Sequence, residues 1–274
     1  VDYDQPGADD AEFIELKNVS STVVALAGTR LELVNGSNGS VYEDVRLGLL
    51  SDIHGNRVAL EAVLDDMPPV DGLVCAGDVV GYNPWPAECV AAVRERAIPT
   101  VQGNHDRAVA AGSAPGFNAM ARAGVDYTRE TLDDDALAWL AGLPGRRTVA
   151  DGRVAVVHGH PDDPDHYTRP REFAGGLVDS AADRLGVDED GLDALVLGHT
   201  HVQHHGVFPE GVVVNPGSVG QPRDGDPRAA YAVLDVHERT VDERRVEYDT
   251  DAVAAAVAEA GLPERIGNRL AEGR

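Results

Sequence analysis

Lysine is almost missing from this 274-residue chain: Lys17 stands alone, and every other basic residue is arginine. Basic residues number 23 against 47 acidic ones, giving a formal net charge of −24. A surface so short of positive charge repels phosphate backbones, which excludes general nucleic-acid binding. Such an excess of acid with so little lysine points to a proteome adapted to high salt, where screening removes most self-repulsion. Cysteine is scarce too. Cys75 falls on what reads as a buried strand and Cys89 on a helix face, as two reduced core thiols of a cytoplasmic protein would. Although 43% of residues are hydrophobic, no apolar run is long enough to span a bilayer. The opening Val1-Asp2-Tyr3-Asp4 lacks the basic-then-apolar order of a signal peptide, so a cytoplasmic location without membrane attachment is expected. Repeats and low-complexity tracts are absent, and nothing in the chain specifies an oligomeric state.

What is present is a regular alternation. VRLGLLSD, residues 45–52, is a short apolar run ending in an acid, as a buried parallel strand would be. Leu60, Val63, Leu64 and Met67 then share a helix face that Pro68-Pro69 terminate. GLVCAGD, residues 72–78, repeats the strand-then-acid pattern, and Pro86 opens a helix carrying Cys89, Val90, Val93 and Ala97. IPTVQG, residues 98–103, reads as a third strand. This β-α-β-α-β order implies a largely parallel sheet with helices outside it. A helical region follows over about 117–143, then strands ending at His158 and His199. Residues 212–214, 229–236 and 241–248 read as antiparallel strands, and a terminal helix spans 251–260.

Each unusual polar residue follows an apolar run, which puts it where loops of an α/β sheet converge on a ligand. Asp52 and His54 stand two apart. Asp78 follows a glycine, Asn104-His105-Asp106 follow another, and His158, His199 and His201 complete the set. Mixed nitrogen and oxygen donors suit Mn²⁺, Fe²⁺, Co²⁺, Ni²⁺ or Zn²⁺ better than Mg²⁺ or Ca²⁺. No thiolate lies nearby in sequence, which argues against a structural zinc cage. Asp52, His54, Asp78, Asn104, His158, His199 and His201 are too many ligands for one tetrahedral ion but suit two ions sharing a carboxylate. Two such ions roughly 3.5–4 Å apart activate a bridging hydroxide and clamp a phosphate for in-line attack. That chemistry needs no serine or cysteine nucleophile.

Together the motifs Asp52-x-His54, Gly77-Asp78, Gly103-Asn104-His105-Asp106, His158 and Gly198-His199-Thr200-His201 resemble those of the calcineurin-like metallophosphoesterase superfamily. The likeness covers about residues 45–248 and is nearest to its small single-domain prokaryotic phosphodiesterases. The resemblance implies a two-sheet β-sandwich core flanked by helices, an α/β/β/α arrangement in four layers. It also implies Asp52, His54, Asp78 and His201 on one metal, and Asp78, Asn104, His158 and His199 on the other. Asp78 would bridge, and Mn²⁺ heads the list of metals. His105 would serve the leaving group as acid, oriented by Asp106. The expected activity is hydrolysis of small phosphoesters, nucleotide-like ones included. A protein phosphatase and a non-catalytic metal-binding scaffold are the alternatives, though a scaffold is expected to have lost ligands that this chain keeps.

Other residues carry less weight. His160 and His166 read as solvated loop residues, and His204 and His205 as the start of a strand. Asn215-Pro216-Gly217-Ser218 reads as a tight turn near the site. Arg223 and Arg228 are open to two readings, phosphate grip or surface ion pair. Residues 1–44 stand apart: VDYDQPG, AEFIEL and LELVNG resemble the front of a lamin-tail domain, truncated and poorly ordered, ahead of an enzyme domain over 45–274.

Overall fold

Short strands whose side chains alternate between two apolar environments build the centre of the molecule. The computed structural model describes residues 33–34, 41–42, 45–187 and 191–274. The chain divides between residues 43 and 44 into two units. In the first, β1 (Leu33–Val34) pairs antiparallel with β2 (Val41–Tyr42). The lamin-tail reading of residues 1–44 falls otherwise outside the described residues.

The second unit opens with β3 (Arg46–Leu50), α1 (Arg57–Asp66), β4 (Gly72–Cys75) and α2 (Pro86–Glu95). Next come α3 (Asn104–Ala111), α4 (Ala119–Thr131), α5 (Asp134–Gly142), β5 (Arg146–Val149) and β6 (Val154–Val157). Then follow α6 (Gly176–Leu185), β7 (Ala194–Val196), β8 (His204–Val207), β9 (Val212–Asn215), β10 (Ala229–Asp235), β11 (Thr240–Val246), α7 (Thr250–Glu259) and α8 (Arg265–Asn268).

Two mixed sheets result, ordered β11-β10-β3-β4 and β5-β6-β7-β9-β8. Leu47, Leu49, Val74, Ala232 and Leu234 of the first meet Val154, Val156, Val196, Val212 and Val214 of the second in one buried cluster. The intervening residues turn outward, as a period of two requires. Leu50, Tyr231 and Val233 pack under Leu60 and Val63 of α1 and Val90 and Val93 of α2. Ala155, Val157, Leu195 and Val213 pack under Leu177, Val178 and Ala181 of α6. The layers run α/β/β/α.

Several elements depart from the sequence reading. The core is two mixed sheets, not one largely parallel sheet: among the described strands, β3 with β4, β6 with β7, and β7 with β9 run parallel, and the other pairs are antiparallel. The third strand shrinks to a bridge between Cys75 and Thr100. Pro99 supplies only its carbonyl there, to the Cys75 N–H at 2.9 Å, because proline has no N–H to extend the ladder. The helical region over 117–143 breaks at Leu132, where Asp133 caps α5 by accepting from the Ala136 N–H at 2.8 Å. β9 is antiparallel only to β8, and the arginine-led β5 lies on the second sheet's edge, where no apolar alternation marks it. Among the described residues, no helix is long and apolar enough to cross a membrane.

Leu49 is fully buried at the centre of the inter-sheet cluster. Leu49→Ala is expected to cost about 2–5 kcal/mol by the transfer and cavity terms together. Urea unfolding followed by circular dichroism checks this, and a loss near zero would mean that the two sheets share no tight core.

Candidate metal centre

The carboxyl ends of five parallel segments deliver the polar residues to one place. Asp52 and His54 follow β3, Asp78 follows β4, Asn104 and His105 open α3, His158 follows β6, and His199 and His201 follow β7. Five of these seven candidate ligands have left-handed backbone: Asp52 (φ 51°), His54 (50°), Asp78 (54°), His199 (65°) and His201 (59°). Each such residue costs on the order of 1 kcal/mol or more, and persists only where its surroundings enforce it. Here the two first loops enforce each other. Asp52 N–H donates to Gly77 O, His54 N–H to Asp78 O and Gly55 N–H to Val79 O, each at 2.9 Å. The curl turns Asp52 and His54 to the same side, with Ile53 between them in the core.

The side chains converge in two neighbouring groups, Asp52/His54/His201 and Asp78/His158/His199, with ligand-capable atoms within 4.8 Å of one another in each. Asp78 Oδ2 faces both groups, 3.6 Å from His54 Nε2 and 3.4 Å from His158 Nε2. Asn104 Oδ1 lies 3.2 Å from His158 Nε2. All seven sequence candidates are therefore brought together. Atoms of His105 also lie within the same span of His54 and Asp78, so distance alone does not separate it from the ligands.

Hydrogen bonding decides which imidazole nitrogens face inward. His54 Nδ1 meets Val80 O at 3.1 Å, His158 Nδ1 meets Ala76 O at 2.7 Å, and His201 Nδ1 meets Gln221 O at 2.6 Å. A carbonyl only accepts, so each Nδ1 carries the proton, and in the neutral ring Nε2 is left as a bare lone pair. His201 Nε2 then lies 3.1 Å from His54 Nε2 and 3.1 Å from Asp52 Oδ1, which is buried without a hydrogen-bond donor. Three lone pairs aimed at one another in a buried site call for a proton or a cation between them. The donor set, mixed imidazole and carboxylate, fits a divalent transition ion. His199 differs by turning Nε2 toward Asp165 O at 3.2 Å, which leaves Nδ1 as its free nitrogen.

The electrostatics agree. Burial opposes ionisation of Asp52, yet His201 holds its carboxyl well below the usual range. Asp78 is lowered likewise, against burial, by His158 and His105. Burial pushes His54 and His201 down and brings His199 and His105 to about 4, which keeps these rings neutral near pH 7. His158 goes the other way. Burial works against its charge, but Asp78 raises it to about 10. Without a metal, a proton sits in the potential that would draw one.

A further shell fixes the ligands. The His105 N–H at the start of α3 donates to Asp78 Oδ1 at 2.8 Å, leaving Oδ2 for the cluster. Ser51 Oγ and the His199 N–H both donate to Asp52 Oδ2, at 2.6 and 3.0 Å. Asn215 Nδ2 donates to Gly198 O at 2.6 Å, and Ser218 Oγ to Asp52 O at 2.7 Å. The turn read from sequence as structural is indeed a brace for two ligand loops. Gly103 must stay small, since a Cβ there would stand 2.1 Å from Asp78 Oδ1.

One role needs correction. Asp106 does not orient the His105 ring. Its oxygens accept from the N–H groups of Asp78 (2.8 Å), Gly103 (3.0 Å) and Val80 (3.2 Å), while His105 Nδ1 is buried without a partner. The reason is helical geometry: Asp106 is at N3 of α3, where a carboxylate reaches back over the helix start. Burial, with Asp78 close by, raises this carboxyl to about 7.

Aromatic residues absent from the sequence reading line the rim. Tyr82 packs on the His105 and His54 rings at 4.6 and 4.9 Å, and Phe117 on His105 at 4.7 Å. Tyr167, 44% exposed, stacks on His199 at 4.0 Å. Phe117, Tyr167, Asn104 and Arg107 border a cleft of about 680 Å³. No motif marked them, because their neighbours in sequence are ordinary loop residues. The exposed His166 pairs with Glu172, His160 accepts from the Asp162 N–H, and His204 and His205 lie on β8, all outside the candidate ligand groups. Arg228 clasps Asp226, a surface pair, whereas Arg223 lies beside Tyr82.

Comparison with known proteins gives the same reading. The calcineurin-like phosphoesterase superfamily domain matches residues 45–239. An uncharacterized protein of Methanocaldococcus jannaschii is 31% identical over 250 residues, covering 83% of this chain and 98% of its own. The crystal structure of a metallophosphoesterase from Sphaerobacter thermophilus is 36% identical, with 85% of this chain and 100% of that one covered and a TM-score of 0.70. A hypothetical protein from Pyrococcus horikoshii shares the fold at 23% identity and a TM-score of 0.72, covering 84% of this chain and 99% of its own. The match begins at residue 45, and the lamin-tail resemblance of residues 1–44 is not borne out. With its fold, its converging donors and these relatives in agreement, the chain belongs to the calcineurin-like phosphoesterase superfamily and is a phosphoester hydrolase.

Proposed function

We propose that residues 45–274 form a phosphodiesterase or phosphatase for small phosphoesters, nucleotide-like ones included, that works with two divalent ions in a cytoplasm of high salt. One observation carries the binuclear reading: Asp78 Oδ2 faces His54 Nε2 of one donor group and His158 Nε2 of the other, at 3.6 and 3.4 Å. Asp52, His54, Asp78 and His201 would hold one ion, and Asp78, Asn104, His158 and His199 the second. Mn²⁺ suits this imidazole-rich, thiolate-free set, with Fe²⁺, Co²⁺, Ni²⁺ and Zn²⁺ next. When bound, the pair supplies Lewis-acid activation of water and neutralises charge on the phosphoryl oxygens.

The chain's own groups do the rest. The carbonyls of Val80, Ala76 and Gln221 keep the imidazole lone pairs inward, and Ser51 and the His199 N–H keep Asp52 turned the same way. His105 serves the leaving-group oxygen. Because burial brings it to about 4, the neutral ring acts as a hydrogen-bond donor and not as a standing acid. The walls of Tyr82 and Phe117 exclude water around it. The intact donor set favours this activity over a scaffold.

Three outcomes test the reading. Elemental analysis after Mn²⁺ reconstitution should give about two ions per chain, and turnover of bis-p-nitrophenyl phosphate should vanish with chelator and return with Mn²⁺ or Co²⁺. A chain that takes up no stoichiometric metal sinks the proposal. Asp78→Ala should lose both ions and more activity than Asp52→Ala, which touches one; equal losses would remove Asp78 from the bridging position. His105→Ala should keep both ions and lose on the order of 10²–10³ in kcat, most for alkyl esters and least for p-nitrophenyl esters. Loss of an ion with the ring would make His105 a ligand.

A further inference from the structure

We propose that Arg223, steadied by Tyr82 and Gln221, grips an anionic group on the leaving-group portion of the substrate. The site then favours phosphoesters whose leaving group carries its own phosphate or carboxylate. The proposal rests on the esterase reading and adds to it the substrate's charge.

Arg223 is built into the ligand loops. Its N–H donates to His201 O at 3.1 Å, and the carbonyl two residues earlier, Gln221 O, is the one that fixes His201 Nδ1. Its guanidinium lies 5.8 Å from the Tyr82 ring centre, with Nη2 2.8 Å from Gln221 Oε1 and 3.4 Å from the Tyr82 hydroxyl. Tyr82 in turn lies against His105, the residue assigned to the leaving group. Arg223 therefore stands on the leaving-group side.

Arg223 has no answering charge among the described residues. Among the described residues no carboxylate lies within ion-pair distance, and its Nε is buried without a partner. The acids nearest in sequence are already engaged, Asp224 with Arg245 and Asp226 with Arg228. Arg153 and Arg239, by contrast, both clasp Asp193. Half-buried Arg269 is close enough to repel Arg223, and the cluster that would hold metal ions is adjacent. An aromatic face and an amide oxygen attract a guanidinium but do not neutralise it. In a chain with 47 acidic residues, a half-buried cation left beside other cations is compensated by an anion from outside.

The backbone is strained to keep this arrangement. Tyr82 has φ 62°, a costly conformation for a bulky residue. Gly124 of α4 makes room for it, since a Cβ there would come within 2.3 Å of the Tyr82 nitrogen. Arg107, which borders the cleft beside Phe117 and Tyr167, is paired with Asp165 and offers no free charge.

The test is calorimetry on the full Mn²⁺-loaded chain with two non-hydrolysable ligands of similar size, 3-phosphonopropionate and propylphosphonate. The flexible carboxylate of the first can seek Arg223; the second has none. The wild type should prefer 3-phosphonopropionate by about tenfold, as one charge-assisted contact gives. Arg223→Met should abolish that preference with metal content kept, Arg223→Lys should retain part of it, and Tyr82→Phe should weaken it. Equal affinities in the wild type, no binding of either ligand, or an undiminished preference in Arg223→Met would overturn the proposal. Should Arg223→Met fail to fold, the Lys and Phe variants carry the comparison. Turnover of bis-p-nitrophenyl phosphate is measured separately. A kept preference without turnover sinks the esterase reading alone, and turnover without a preference sinks the Arg223 subsite alone.

Discussion

Two carboxylates, Asp52 and Asp78, are buried side by side at the ends of neighbouring strands, and the architecture around them serves to keep both charged. Burying one anion is expensive, and burying two within reach of each other is more so. The chain offsets part of that cost with the backbone N–H groups of His105 and His199 and the Ser51 hydroxyl. The rest falls to imidazoles whose other nitrogen is tied to a carbonyl. Such rings cannot all donate inward, so the site is stable in this form only with a proton or a metal ion at its centre.

The same demand explains the strained backbone. A strand running straight through Asp52 and His54 would keep both side chains on one face but spread them about 7 Å apart along the chain. Left-handed conformations at Asp52, His54, Asp78, His199 and His201 curl each loop so that its side chains close on a common centre. Close inter-sheet packing supplies the stiffness that holds this strain, because loops cross-linked by ladder-like hydrogen bonds cannot relax singly.

The candidate ligands were legible in the sequence because chemistry restricts them: few residue types bind a transition ion, and each here follows an apolar run. Asp52, His54, Asp78, Asn104, His158, His199 and His201 could be named for that reason, and all seven meet. The fold was legible where short apolar runs ended in a polar residue, as in β3, β4, β6 and β7. It was not where one residue decides: Pro99 cut a strand to a bridge, and Asp133 split a helix in two. Asp106 misled for a related reason. A carboxylate next to a histidine invites pairing, but at the third position of a helix the nearer donors are backbone N–H groups. Tyr82, Phe117 and Tyr167 left no trace, since an aromatic residue in a loop shows its neighbour only after folding.

Charge operates at two ranges, and they pull in opposite directions. The chain as a whole is strongly negative, which would slow the approach of an anionic phosphoester. Salt weakens that repulsion: the screening length is about 8 Å at physiological ionic strength and about 3 Å at 1 M. Contacts inside the site are buried, so salt screens them far less than it screens repulsion across the surface. A chain with 47 acidic residues can therefore capture anions so long as its cations are few, sheltered and local. Arginine suits that duty, being always charged and able to offer a phosphate or carboxylate two parallel donors. The near absence of lysine then takes little from the chemistry, since binding depends on where the few guanidinium groups stand.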